Sequence, residues 1–263
     1  MAAPSTEKQR VVCVFCGSNP GSSQAHVAAA RRLAEAFHKE NVKLVYGGGT
    51  RGIMGEIARR LVQLSGPEAV HGVIPHALVR VEEGYQKKNK KGSGTGSMSG
   101  SGTPNGAETG SEEAKLAMGG KTAERVISAE GGQDDILEEY GTTTLVPDMH
   151  TRKRIMANEV INGGPGSGFV VLPGGFGTME EAFEMITWNQ LGIHQRGIVF
   201  LNVEGYYDGI FEWVKKSVEE DFVQESNKDI LVKCEEPEQV LDALMKYKVS
   251  EGRMALDWST VQA

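Results

Sequence analysis

The chain has 263 residues, of which 39% are hydrophobic and 24% charged, and its formal net charge at pH 7 is −7. That length suits one globular α/β domain, or a domain with a large insertion. The acidic balance argues against non-specific binding to nucleic acid or a membrane surface; no apolar run is long enough to span a bilayer and no signal peptide precedes Val11, so a cytoplasmic protein is expected.

Residues 1–10 read as a disordered start. The apolar run 11–16 reads as a first strand, followed by a Gly/Ser/Pro loop over 17–23. A helix over 23–40 carries Ala25, Ala29, Leu33, Ala36 and Phe37 on one face. Residues 42–46 form a second strand. The glycine loop 47–55 then enters a helix that runs to about residue 64, and 69–74 is a third strand. This alternation predicts a Rossmann-like, doubly wound parallel sheet with helices on both faces, and ligands at the carboxyl edge of the strands.

From 86 to 139 the pattern stops, and the stretch contains no aromatic residue. Lys87, Lys88, Lys90 and Lys91 precede a Gly/Ser tract, which reads as a flexible insertion interrupting the domain without splitting it. The lysine run reads as a solvated flank, and 114–128 as a short helix. The fold resumes at Thr142. A helix over 149–161 and a glycine loop over 163–168 lead to a buried strand over 169–172, which Pro173 ends. Gly174, Gly175 and Gly177 make a tight loop. Thr178 reads as the N-cap of a helix over 179–191, with Ala182, Met185 and Ile186 opening its apolar stripe. A strand (197–202), a helix (209–220), a strand (230–233) and a helix (237–247) follow, and the tail from Ser250 reads as loose.

Cys13 and Cys16 spell C-x-x-C, but they lie in a strand, where residues three apart point to opposite faces. With Cys234 they read as buried structural thiols. The six histidines show no ligand spacing, so no metal site is expected.

The glycine loops carry the chemistry. Neither a Walker loop nor the dinucleotide G-x-G-x-x-G spacing is present. Three glycine-bearing loops, each after a strand, suit one phosphate plus a close-packed nucleoside, because helix N-termini offer unpaired N–H groups. Thr178-x-x-Glu181 has capping-box spacing, so Glu181 either covers the N-cap amide or faces a sugar or an attacking water. His150-Thr-Arg-Lys-Arg154 puts cations at a helix start, where the dipole disfavours them. Either that face is solvated, or Arg152 and Lys153 meet an anionic ligand or the Glu181 carboxylate.

Pro173-Gly-Gly-Phe-Gly-Thr-Met-Glu-Glu181, together with Asp148-Met-His-Thr-Arg-Lys153, Tyr46-Gly-Gly-Gly and Thr187-Trp-Asn-Gln-Leu-Gly-Ile-His194, resembles the Lonely Guy (LOG) family of cytokinin-activating phosphoribohydrolases. The resemblance implies a Rossmann-like fold, at least a homodimer and no cofactor. It implies hydrolysis of the N-glycosidic bond of a nucleoside 5′-monophosphate, either a cytokinin riboside 5′-monophosphate or AMP. Arg152 and Glu181 fall on the family's catalytic pair. Ser18, Gly48, Gly49, Glu82, Lys153, Gly174, Gly175, Phe176, Gly177, Thr178, Met179, Glu180 and Thr187 fall on substrate-contact positions. A non-catalytic nucleotide carrier or sensor on the same fold is the alternative. A pyridoxal-phosphate decarboxylase is disfavoured, because no lysine sits in a recognisable Schiff-base context.

Overall fold

A computed structural model describes residues 8–79 and 138–258. The expectations for residues 1–7, Glu82, the lysine run, the Gly/Ser tract and a helix over 114–128 lie outside the described residues. Among the described residues seven strands form one parallel sheet: β1 (Val11–Phe15), β2 (Lys43–Tyr46), β3 (Val70–Pro75), β4 (Thr142–Val146), β5 (Gly168–Val171), β6 (Gly197–Leu201) and β7 (Leu231–Cys234). Their order is β4-β3-β2-β1-β5-β6-β7. The chain winds outward from β1 to β4, then returns to start again at β5 on the other side of β1. At that reversal the loops leaving β1 and β5 diverge and open a crevice at the carboxyl edge.

Strands β1, β5 and β6 are buried along their whole length. Their apolar runs are unbroken because helices cover both faces of the sheet. One layer is α1 (Gln24–Lys39), α2 (Gly52–Ser65) and a C-terminal helix (Val240–Lys246), packed on Val12, Val14, Leu44 and Tyr46. The other is α4 (Met149–Ile161), α5 (Phe176–Gln190) and α6 (Asp208–Glu219), packed on Cys13, Phe15, Val45 and Phe169. A short helix, α3 (His76–Val79), follows β3. Cys13 and Cys16 fall in opposite layers, and all three cysteines are buried free thiols, as the strand reading predicts.

Two elements differ from the sequence reading. Strand β4 was not expected. Thr142, Thr143 and Thr144 favour extended backbone, but they are polar and half-exposed at the sheet edge, so no apolar run announces them. The tail is not loose as far as Trp258. Met254 N–H donates to Gln190 O at 2.8 Å, and Trp258 Nε1 donates to Leu191 O at 3.0 Å. Both bonds satisfy carbonyls at the C-terminal end of α5, where the helix itself has no donors left.

Candidate active site

The crevice between β1 and β5 is built by tying carbonyl groups back. Tyr207 Oη–H donates to Leu172 O at 2.7 Å, Gly17 N–H to Pro173 O at 3.0 Å, and Tyr206 Oη–H to Gly174 O at 2.6 Å. Three successive acceptors are thus engaged just before α5 begins. The N-cap of α5 is Gly175, and no side chain caps the helix. The first N–H groups of a helix have no intrahelical partner, so this rim presents donors and a positive dipole end.

Thr178 is therefore not the N-cap. It is the third residue of α5, buried, with its hydroxyl packed where a Cβ on Gly174 would come within 2.1 Å of Oγ1. The capping-box reading of Thr178 and Glu181 fails with it, because Glu181 lies a turn too deep to reach the cap. Gly175 and Gly177 have ordinary φ values, and a Cβ at either would meet nothing within 4 Å. Nothing in the described packing requires glycine there.

Glu181 instead meets Arg152. Arg152 Nη1 donates to Glu181 Oε1 at 2.6 Å, and Arg152 Nε donates to Val73 O at 3.0 Å. The two residues are 6% and 7% exposed, so the pair is almost wholly desolvated. Burial raises the Glu181 carboxyl above its ordinary value, and the Arg152 guanidinium opposes that rise. Removing one partner of such a pair would leave a buried charge uncompensated.

Arg152 and Glu181 open on a cleft of about 430 Å³. Ser18, Gly49, Gly175, Gly177, Thr178 and Glu180 also line it, together with exposed Phe176. Gly48 is not among the residues lining the cleft; its φ is 74°, and a Cβ there would meet Ile74 Cβ at 2.9 Å. Gly174 lines a neighbouring cavity. Three more expected contacts also lie off the cleft wall. Lys153 bonds Glu180 at 2.5 Å and Glu184 at 3.1 Å, which answers the unfavourable cation at the start of α4. Met179 packs against the hydrophobic core. Thr187 is exposed and its hydroxyl donates to Phe183 O one turn back. Sequence reasoning missed an apolar wall of Met54, Ile74, Leu78 and Met149 on the same cleft. Hydrophobic residues at helix starts and strand ends carry no signal that sets them apart from core.

Among the described residues no group of three or more His, Cys, Asp or Glu could hold a metal ion. No described lysine lines the cleft or its neighbouring cavity, so these residues do not fit pyridoxal phosphate held as a Schiff base. No helix among the described residues is long and apolar enough to cross a membrane.

The signature of a family described as "possible lysine decarboxylase" matches residues 54–244. A bifunctional cytokinin biosynthesis protein of Fusarium pseudograminearum (strain CS3096) is 41% identical over 251 residues, which is 95% of this chain and 43% of that protein. This chain thus spans less than half the length of that relative. A probable cytokinin riboside 5′-monophosphate phosphoribohydrolase of Oryza sativa subsp. japonica is 32% identical over 238 residues, 90% of this chain and 71% of that one. Among solved structures, the Moco carrier protein from Chlamydomonas reinhardtii superimposes with a TM-score of 0.49 at 12% identity, over 90% of this chain and 95% of that chain, a likeness too loose to bear on function. By the signature and the identities together, the chain belongs to the family described as possible lysine decarboxylase, the Lonely Guy family that its motifs resemble.

Proposed function

We propose that the protein hydrolyses the N-glycosidic bond of a nucleoside 5′-monophosphate, cytokinin riboside 5′-monophosphate or AMP, to the free base and ribose 5-phosphate. The observation that carries the reading is the buried Arg152–Glu181 pair, opening on a cleft whose rim is an uncapped helix N-terminus. The names of the relatives point the same way.

The chemistry follows from the charges. Water adds at C1′, the base leaves with the bonding electrons, and it collects a proton. Positive charge develops on the ribose as the bond breaks, as in glycoside hydrolysis generally. The Glu181 carboxylate, set under C1′, stabilises that charge and takes a proton from the water. Arg152 holds the carboxylate in place against its desolvation. The 5′-phosphate goes to the N–H groups of Gly175–Thr178 and to Ser18. The helix itself separates the two anions: from Phe176 to Glu181 is roughly 8 Å along the axis at 1.5 Å per residue, leaving room for a ribose between them.

The protein is taken to be cytoplasmic and at least a homodimer. Phe176 is 97% and Phe222 85% exposed, and apolar side chains this bare are the kind that subunit contacts cover. The test is chromatography of AMP and isopentenyl-AMP incubated with wild type, Glu181→Gln and Arg152→Ala. Glu181→Gln is expected to lose about 10²–10⁴-fold in kcat, the range for removing a general base, and Arg152→Ala to lose kcat by misplacing that base. Tight binding without base release by the wild-type protein would overturn the proposal in favour of a carrier.

A further inference from the structure

The stretch Asn202-Val-Glu-Gly-Tyr-Tyr-Asp208 follows β6, and none of its residues lines the cleft. Two of its hydroxyls nevertheless end on the turn before α5, Tyr207 Oη on Leu172 O and Tyr206 Oη on Gly174 O. The backbone of the stretch brings these adjacent tyrosines to one turn. Glu204 has a φ of 52° and Gly205 a φ of 74°, two left-handed residues in succession that reverse the chain. A Cβ on Gly205 would come within 2.6 Å of Asp208 Oδ2, so that position is held to glycine. A glutamate in the left-handed region is unfavourable, and it persists only where its surroundings fix it.

Asn202 does the fixing. It is 3% exposed, and every polar group it carries is engaged. Its Oδ1 accepts Tyr207 N–H at 2.7 Å, and its Nδ2 donates to Asp208 Oδ1 at 2.8 Å. Its backbone N–H donates to Cys234 O at 2.7 Å, at the end of β7, and its carbonyl accepts Gly205 N–H at 3.2 Å. The position needs an acceptor and a donor on one short side chain. Ionised aspartate has no donor for Asp208, and leucine has neither group. We infer that Asn202 is a positioning residue for nucleotide capture. Acting through Tyr206 and Tyr207, it sets the carbonyls of Leu172 and Gly174, and with them the amide rim at the start of α5. The inference rests on the proposed nucleotide cleft. The Glu181 carboxylate is anchored from another side, by Arg152, which is itself held on Val73 O. Asn202 therefore governs binding and leaves the chemical step alone.

Steady-state kinetics with AMP test it, on wild type, Asn202→Ala, Asp208→Ala, Tyr206→Phe, and a Tyr206→Phe/Tyr207→Phe protein with and without Asn202→Ala. Asn202→Ala is expected to raise KM about tenfold at nearly unchanged kcat, as for a lost buried hydrogen bond. Asp208→Ala, at an exposed residue, frees only the Nδ2 end and should raise KM less. Where both tyrosine hydroxyls are already gone, adding Asn202→Ala should raise KM no further, because the tie it works through is missing. A merely structural role predicts otherwise. Fewer molecules would be folded, so kcat would fall at unchanged KM, and by the same factor in either background. Either of those results would overturn the inference. If Asn202→Ala does not fold, Asp208→Ala and Tyr206→Phe carry the test, and an unchanged KM in both would overturn it. A wild-type protein that binds AMP but releases no base would overturn the catalytic reading alone. The same cycle is then read in the Kd for AMP by calorimetry, with the same outcomes deciding.

Discussion

A methyl group on Gly47 would fall 1.8 Å from Nη2 of Arg152. The residue that ends the approach from β2 is thus held to glycine by the guanidinium of α4, and the guanidinium is held in turn by Glu181 and Val73 O. Gly47→Ala should therefore act on chemistry before it acts on folding. Arg152 must swing away, and Glu181 loses its anchor. A displacement of about 1 Å at such a pair can cost on the order of 10²-fold in rate. The expected result is a fall of that size in kcat for AMP, with KM changed little and the thermal transition still cooperative. Unchanged kcat would mean that Arg152 has no part in the reaction.

The pH dependence of catalysis should carry the mark of a buried carboxyl. Burial raises Glu181 above its ordinary value of 4.5. Below its own pKa the residue is protonated, and it then offers neither charge to the ribose nor a base to the water. The acid limb of kcat/KM is expected above pH 4.5, falling about tenfold per pH unit as a single proton is taken up. Arg152→Gln removes the opposing guanidinium and should push the limb to higher pH. A limb at or below the ordinary glutamate value would separate Glu181 from the base role.

His194 makes the opposite kind of prediction, about stability. Its Nε2–H donates to Met185 O at 2.9 Å, and its Nδ1 accepts from Arg196 N–H at 3.1 Å, so the ring is bound in its neutral form. Desolvation depresses its pKa from 6.5 to about 4. Between those values the unfolded chain binds a proton that the folded chain does not. Stability is then fully present above pH 6.5 and is lost as the pH falls toward 4. The difference amounts to roughly 3 kcal/mol at about 1.4 kcal/mol per pH unit. Urea unfolding from pH 7 to pH 4.5 should show the decline, and His194→Gln, though less stable at pH 7, should show a shallower one.

The thiols should be inert. Burial pushes Cys13 and Cys16 well above the ordinary thiol range, and they face opposite sides of the sheet. Native protein exposed to iodoacetamide at pH 8 is expected to leave both unmodified, while urea-unfolded protein reacts at both. Modification under native conditions, or a disulfide between them, would contradict the strand geometry.

Much of this arrangement is legible in the sequence, and the losses have physical causes. β1, β5 and β6 announced themselves because helices cover both their faces and leave no polar position to break the run. Glycines after strands pointed to the carboxyl edge of the sheet, where the cleft lies. Thr178 misled because threonine is a good N-cap, whereas the real cap, Gly175, works without a side chain and leaves no comparable trace. For Arg152 the sequence left two readings open, solvated or paired. The choice depends on how α4 and α5 lie beside each other over the sheet, which no local pattern encodes.

The turn before α5 has its oxygens already engaged, by two tyrosine hydroxyls and one backbone amide. Such a turn has little left to rearrange when a guest arrives. Its freedom is given up once, as the chain folds, and not again at every encounter. Loosening it, as Tyr207→Phe would, should therefore show first as slower capture of the nucleotide, well before it shows as a weaker fold.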